Sequence, residues 1–475
     1  MSSLATSPSK TQPLQSAPDK RISVDSPPGK TAQRKINVRE SLRASFKDGI
    51  FASIMAGMTE HYIIPFALLL GATLQQVGWV SALPSLLGSI SQLFAVQVIH
   101  WIGGRLRFLV RAILVQAIFL LAIAFLAWSD FPYRVEMFLS LLVLSTICGG
   151  LAGPAWGSLM TEYIPKQKRG QYFGWRHRIL GIVNVASLTA AGLVLYWTRE
   201  LSQALGFFII FLIGALARFV SGGYLAQMSE VPQKRDPASD FTFVMFLARF
   251  RESNFVKFVA FMATLTFSTF LAAPFFAVFM LRDLELSYLT YMVLQVTSAV
   301  TGLVALPWWG RHADLVGNVR VLRLAGFLAT LNPLFWLVSH DVFYLVLVQV
   351  LAGFSWSGTT LSATNFIYDA VTQQKRVRCI GYFNVINGTA LFLGASLGGF
   401  LASRLPPIQG YSLLTLFALS ALCRLFSYFL LFRRFQEVRP SREVSSQELF
   451  FSVVGIRPLI GLSRDWSLRP IRPRD

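Results

Sequence analysis

The sequence predicts an all-α integral membrane fold, with twelve transmembrane helices arranged as two repeated six-helix bundles. Three observations predict it. The chain of 475 residues is 54% apolar and only 14% charged, whereas a soluble domain carries about 25% charged residues. Apolar stretches recur that match the ~20 residues needed to cross a ~30 Å hydrocarbon layer. The two halves also repeat each other at a spacing near 207 residues.

Taken in order, residues 1–44 are rich in Ser, Pro, Gln and Lys and hold no apolar stretch able to act as a signal-peptide core. They are expected to form a disordered tail. Six spans are placed near 48–70, 78–100, 108–128, 136–160, 177–198 and 204–227, giving a first bundle over 45–228. A linker covers 229–256. Six more spans follow near 257–281, 288–309, 319–339, 342–368, 379–402 and 411–432, a second bundle over 257–434. In the second tail, 435–475, Leu449-Phe450-Phe451 and Pro458-Leu459-Ile460 are too short to span. They are expected to lie on the membrane surface or on the protein's own face.

The 43 Lys+Arg against 23 Asp+Glu give a net charge of +20. If both tails lie on one side, 37 of the basic residues fall on that side. Only Arg134, Arg199, Arg282 and Arg404 fall on the other, and Arg218 and Arg424 lie inside spans. By the positive-inside rule both termini are cytoplasmic in a multi-pass protein of the plasma or inner membrane. The charge sits in juxtamembrane loops facing an anionic leaflet, not on a nucleic-acid-binding domain. Cys148, Cys379 and Cys423 are too few and too scattered for a disulfide framework.

The duplication shows in specific residues. Pro65-Phe66 answers Pro274-Phe275, and Glu162, Arg169, Gly174 and Gly181 answer Asp369, Arg376, Gly381 and Gly388. Arg218 and Ser221 answer Arg424 and Ser427, and Glu230-Val231 answers Glu437-Val438. Two halves of equal topology imply bundles related by an axis along the membrane normal, with substrate held between them near the midplane.

Between spans 8 and 9, Gly310-Arg-His-Ala-Asp314-Leu-Val-Gly317-Asn-Val-Arg320 is similar to a loop signature of the major facilitator superfamily. Leu315 and Val319 occupy two basic positions of the full pattern. The loop between spans 2 and 3 keeps Gln97, Trp101, Gly104 and Arg107 but has no Asp. The loop after span 4, Glu162-x-x-Pro165-x-x-x-Arg169-Gly170, matches another pattern common in that superfamily. The chain resembles the superfamily over roughly residues 45–437. The resemblance implies the major facilitator fold, with spans 1, 4, 7 and 10 lining a cavity and spans 6 and 12 bracing the bundles. The sugar porters' Gln-Gln element of span 7 and the antiporter pattern Gly-Pro-x-x-Gly-Gly of span 5 are absent. Gly394-Ala-Ser-Leu-Gly398-Gly399 in span 11 reads as small-residue helix packing.

Glu60 is the sharpest candidate for mechanism. It lies ~18 Å along span 1, close to the bilayer centre, and reads as the only acidic residue deep in any span. An intramembrane carboxylate marks a pathway or a proton relay by default. Ser53, Ala56 and Gly57 share its helical face. His61 points ~100° away, which suits a hydrogen-bonded packing role, and Thr269 holds the repeat position of Glu60 in span 7. Trp356, Thr360 and Asn365 in span 10, with Asn384 and Asn387 in span 11, are further cavity candidates. Arg218 and Arg424 are read as structural; facing inward, they would point to an anionic substrate. Gly310, Asp314, Gly317 and Arg320, together with Glu162, Arg169, Glu230, Asp369, Arg376 and Glu437, form a cytoplasmic gating set.

These features make the leading expectation a secondary active transporter of a small solute, working by alternating access and coupled to protons or another ion. A receptor or lipid-handling protein on the same scaffold is the first alternative, separated by whether solute accumulates against its gradient. A membrane-bound enzyme is the second. The sequence has no His-Glu-x-x-His and no Gly-x-x-x-x-Gly-Lys, and its Gly-x-Ser-x-Gly run, Gly394-Ala-Ser-Leu-Gly398, lies inside an apolar span and not at a strand-to-helix turn. No cofactor or metal is expected, and a monomer in the lipid bilayer is.

Overall fold

Lipid offers no hydrogen bonds, so a chain this apolar must satisfy its backbone within helices. In the computed structural model, residues 37–230, 253–371, 376–431, 434–438, 448–449 and 452 are described. Residues 1–36 and most of the 229–256 linker lie outside them. Among the described residues twelve long helical segments follow one another. The first six are Val38–Leu69, Leu74–Ile102, Arg105–Leu126, Arg134–Tyr163, Arg169–Thr198 and Gln203–Leu225. The second six are Asn254–Asp283, Tyr288–Val316, Asn318–Phe335, Val342–Ala370, Arg376–Ala402 and Ser412–Leu431. Ten are long and apolar enough on their own to cross a membrane; spans 2 and 9 complete the twelve. Side-chain caps begin many of them. Asn37 accepts from the Glu40 N–H at span 1, and Thr73 and Gln76 form a capping box at span 2. Ser202, Ser253, Ser287 and Asp341 cap spans 6, 7, 8 and 10.

Three helices depart from a plain rod. Span 1 starts at Val38, ten residues before its apolar stretch, because Arg39, Glu40, Arg43 and Lys47 continue the helix as a charged extension. It then tightens into a 3-10 turn over Glu60–Tyr62. Pro65 explains the break: without an N–H, it cannot bond the carbonyl four residues back, that of His61. Tyr291 Oη donates to that freed carbonyl from the second bundle at 2.8 Å. Span 7 breaks at the repeat position, between Phe270 and Ala273 just before Pro274, and ends in a π-helical turn, Phe279–Asp283. Span 2 bends at Phe94.

Ser41 accepts from the Ser229 N–H, and Asn254 bonds the Gln436 backbone, so each bundle begins and ends on one face. We call this the terminal face and its opposite the distal face. Burial differs between the two. One apolar cluster, including Tyr62, Phe66, Phe207 and Phe211 with Phe275, Phe279, Tyr291 and Phe417, joins both bundles in their distal halves. In the terminal halves the clusters stay within one bundle each: around Phe108 and Leu159 in the first, and around Phe258 and Phe366, or Trp309 and Val316, in the second. Leu449 of the C-terminal tail packs into the last of these, and Ser452 bonds His312 at 3.1 Å.

Span 2 packs along span 11 through small residues. A Cβ on Gly78 would lie 2.5 Å from the Ala395 carbonyl oxygen, and one on Gly399 2.8 Å from that of Leu74. The glycine-rich run of span 11 also abuts span 7, Gly394 against the Phe267 backbone and Gly398 against Leu271. This is the close approach that small residues permit between helices in lipid.

Candidate functional site

Each bundle has a cavity walled by its first four helices, with Arg424 of the sixth helix added to the second, and the two cavities occupy equivalent places in the repeat. The first, of about 360 Å³, is lined by Glu60 with Thr59, Ser85, Ser89, Gln116 and Thr146 among others. Span 1 contributes Met55, Thr59, Glu60 and Ile63 to it, and not Ser53, Ala56 or Gly57. Gly57 instead packs against the span 5 backbone at Asn184, because the 3-10 turn rotates the wall from the face a straight helix would present. Glu60 is exposed to this space and within electrostatic range of Arg218.

Arg218 is held inside the first bundle by a polar chain. Its Nε donates to Gln116 Oε1 at 2.8 Å, and its Nη1 to Ser221 Oγ at 3.2 Å. Ser221 in turn donates to Asp48 Oδ1 at 2.6 Å. Asp48 is buried, so Glu60 is not the only carboxylate set inside the bundle. The early start of span 1 brings Asp48 into its third turn.

The second cavity, of about 400 Å³, is lined by Thr269, Gln295, Asn332, Gln349, Trp356 and Arg424, with Phe270, Phe276 and Trp336 supplying apolar wall. Arg424 donates to Ser420 Oγ at 3.2 Å, to the Ala329 carbonyl at 3.1 Å and to the Thr269 carbonyl at 3.3 Å. Both carbonyls lie at helix interruptions. Pro333 cannot bond Ala329, four residues back, and Thr269 sits at the break before Pro274. Among the described residues no carboxylate approaches Arg424 within salt-bridge distance. His61 belongs to neither wall; its side chain bonds Gln295 across the bundle interface.

At the terminal face the repeat produces two related clusters. In the first, Arg105 forks onto Glu162 at 2.8 and 2.9 Å and reaches Glu230 at 3.6 Å, while Glu230 accepts the Leu106 N–H at 2.7 Å. In the second, Asn318 donates to Asp369 at 2.8 Å and Glu437 accepts the Val319 N–H at 2.7 Å. Arg105 and Asn318 are counterparts. Each cluster ties three spans of its own bundle, and none of these bonds crosses to the other bundle. Gly317, at φ +91°, is required here: a Cβ would fall on the Glu437 carboxylate. Arg169 turns to the backbone carbonyls of Thr161 and Ile164, ending span 4. Arg320 reaches the Val316 carbonyl. Asp314 is exposed and forms no ion pair among the described residues, and Gly310 faces open space apart from Leu361. The side chain of Arg376 lies outside the described residues.

The remaining candidates disperse. Asn384 donates to Gln92 at 3.0 Å, joining spans 11 and 2 across the interface, and Asn387 accepts from Thr266 at 3.1 Å. Thr360 is exposed and Asn365 half-buried, both on span 10 outside the two cavities. Sequence reasoning missed Asp48, Gln116, Arg105, Gln295, Asn332 and Gln349. Arg105 carried a readable signal, since Gly104 and Gly317 align the two loops and set it opposite Asn318.

Two six-helix halves of equal topology, joined at one face and each enclosing a polar cavity, define a duplicated multi-pass membrane protein. The profile of the Major Facilitator Superfamily matches residues 49–269 and again 256–470. The chain belongs to that superfamily. It is 26% identical over 122 residues to the quinolone resistance protein NorA of Staphylococcus aureus (strain MRSA252) and 27% over 129 residues to multidrug resistance protein 1 of Bacillus subtilis (strain 168). Each match covers 26% of this chain and about a third of the relative, 31% and 33%. Among solved structures, a point mutant of the nucleoside transporter NupG (TM-score 0.63, 13% identity) covers 83% of this chain and 100% of its own. An inward-facing bacterial homologue of the iron transporter ferroportin (0.63, 13%) covers 84% and 99%. An inward-facing bacterial homologue of the lysosomal transporter spinster (0.59, 15%) covers 86% and 99%. At these identities the likeness is one of fold.

Proposed function

We propose that the protein is a secondary transporter of a small solute, that it works by alternating access, and that Glu60 couples it to protons. The observation that carries this reading is the asymmetric burial: the bundles share one apolar seal at the distal face and separate clusters at the terminal face. With the basic loops on the terminal face taken as cytoplasmic, the structure is open to the cytoplasm and closed outside. Opening the other way requires the distal seal to part and the terminal halves to close, which is rocking of one bundle against the other. Glu60 supports coupling because it faces the first cavity while standing in the field of Arg218. Because two relatives are named for resistance to quinolones and to multiple drugs, quinolones belong among the solutes to screen.

The test is solute accumulation in proteoliposomes under an imposed pH gradient. Wild-type protein is expected to concentrate solute only while the gradient lasts. Glu60→Gln is expected to keep solute exchange and lose accumulation. Undiminished gradient-driven accumulation in that variant removes Glu60 from coupling. Binding by the wild type without accumulation of any solute favours the receptor reading.

A further inference from the structure

The repeat sets two buried arginines at equivalent places, yet their surroundings differ in charge. Arg218 is linked through Ser221 to Asp48 and lies in the field of Glu60. At the repeat offset of spans 1 and 7, the counterparts of Asp48 and Glu60 are Lys257 and Thr269. The second bundle thus keeps the arginine and lacks both acids. Arg424 is 2% exposed, and a buried charge without a counter-charge is strongly unfavourable.

Three of its five N–H donors are taken, one on each nitrogen. Among the described residues each terminal nitrogen therefore keeps one N–H for a further acceptor such as a carboxylate. Two neutral groups lining the same cavity also lack partners among the described residues: Thr269 Oγ1 and Asn332 Nδ2 are buried and form no hydrogen bond there. Thr269 is 8% and Asn332 6% exposed, and both line the cavity with Arg424. Buried polar atoms are paired in the great majority of cases, so two orphans beside an uncompensated guanidinium mark a place where a ligand completes the set. A carboxylate has about four lone-pair sites, and these groups offer four donor atoms, the two terminal nitrogens of Arg424, Thr269 Oγ1 and Asn332 Nδ2. Phe270, Phe276, Trp336 and Trp356 line the rest, and the volume of about 400 Å³ lies toward the small end of ligand pockets.

We propose that the second cavity binds a small organic anion, a monocarboxylate on an apolar or aromatic body, through Arg424, Thr269 and Asn332. This rests on the transport reading above and names the class of solute.

The experiment is calorimetric titration of the purified full chain in detergent with matched pairs: benzoate and benzamide, 2-naphthoate and 2-naphthamide, indole-3-acetate and indole-3-acetamide. Wild-type protein is expected to bind at least one acid tenfold or more tightly than its amide. In Asn332→Leu and Thr269→Val that preference is expected to drop below threefold. These variants delete side-chain atoms that form no hydrogen bond among the described residues, so they leave the hydrogen bonds seen there intact. Arg424→Lys keeps the charge without the fork and is expected to lose at least half of the preference in logarithmic terms. Equal binding of acids and amides, binding of no acid, or an unchanged preference in all three variants overturns the assignment. Binding in detergent is independent of transport. Discrimination without accumulation would sink the transport reading alone, and accumulation without discrimination would sink this assignment alone.

Discussion

Spans 2 and 11 touch through glycine in the distal half, which permits a direct test of alternating access. A methyl group added at Gly78 would lie 2.5 Å from the Ala395 carbonyl oxygen and 3.2 Å from its carbon. These are backbone atoms and cannot rotate away, so Gly78→Ala must push the helices apart where they seal the distal face. Overpacking of this kind costs about 1–3 kcal/mol, and it falls only on the state in which the seal is closed. The ~1 kcal/mol gain in helix propensity from replacing glycine applies to both states and cancels. At ~1.4 kcal/mol per tenfold, the ratio of distal-open to distal-closed molecules should rise roughly 5- to 150-fold. The assay is labelling of Ser85→Cys, on the wall of the first cavity, in a background lacking Cys148, Cys379 and Cys423. A membrane-impermeant maleimide is applied from either face of oriented vesicles. Gly78→Ala should raise the distal labelling rate and lower the terminal one. Gly153→Ala and Gly157→Ala, where a methyl meets nothing within 4 Å, should change neither. Unchanged labelling in Gly78→Ala, or a rise on the terminal side alone, refutes both the seal and the two-state rocking built on it.

Two further outcomes concern the terminal clusters. Arg105→Asn makes the first cluster resemble the second, removing a fork whose arginine is 5% and whose Glu162 is 28% exposed. Discounted for that solvent access, the loss should be about 1–3 kcal/mol, seen as a lower thermal midpoint in detergent; an unaltered midpoint would show the pair to be ornamental. Gly317→Ala forces a side chain onto a backbone at φ +91° and into the Glu437 carboxylate, an expected loss of about 2–4 kcal/mol. Gly326→Ala, in open space, should stay at the wild-type midpoint.

The twelve spans were legible because lipid demands long apolar helices and the repeat checks their number. Their ends were less so. Hydropathy discards the charged turns from Val38 to Lys47, so Asp48 fell at the edge of the expected span although it sits inside the bundle. Arg105 was hidden by register: the repeat runs near 207 residues through most of the chain but slips to 213 at Gly104 and Gly317. The prolines held a signal that can be read in advance. Pro65 and Pro333 each announce a freed carbonyl, at His61 and Ala329. That the partners are Tyr291 and Arg424 is a fact of tertiary packing that no local pattern carries.

The proposed proton on Glu60 and the proposed anion at Arg424 are predicted to travel together. A proton on Glu60 raises the charge of the first bundle by one, where Arg218 and Arg176 already stand against Asp48. A carboxylate bound at Arg424 lowers the charge of the second bundle by one. The empty carrier and the carrier loaded with both therefore carry the same charge, whereas either ligand alone changes it by one unit. An added uncompensated charge opposes closure into a low-dielectric interior, so only the empty and fully loaded forms should cross readily between states. Glu60→Gln fixes the first bundle in the charge of its protonated form. The anion-loaded variant then has the charge of the fully loaded carrier and moves, while the empty variant carries one positive charge more than the empty carrier and stalls, so labelled solute should exchange across the membrane but never accumulate. Loss of exchange together with accumulation would show that Glu60 acts on binding or folding, and the charge-balance account would fail.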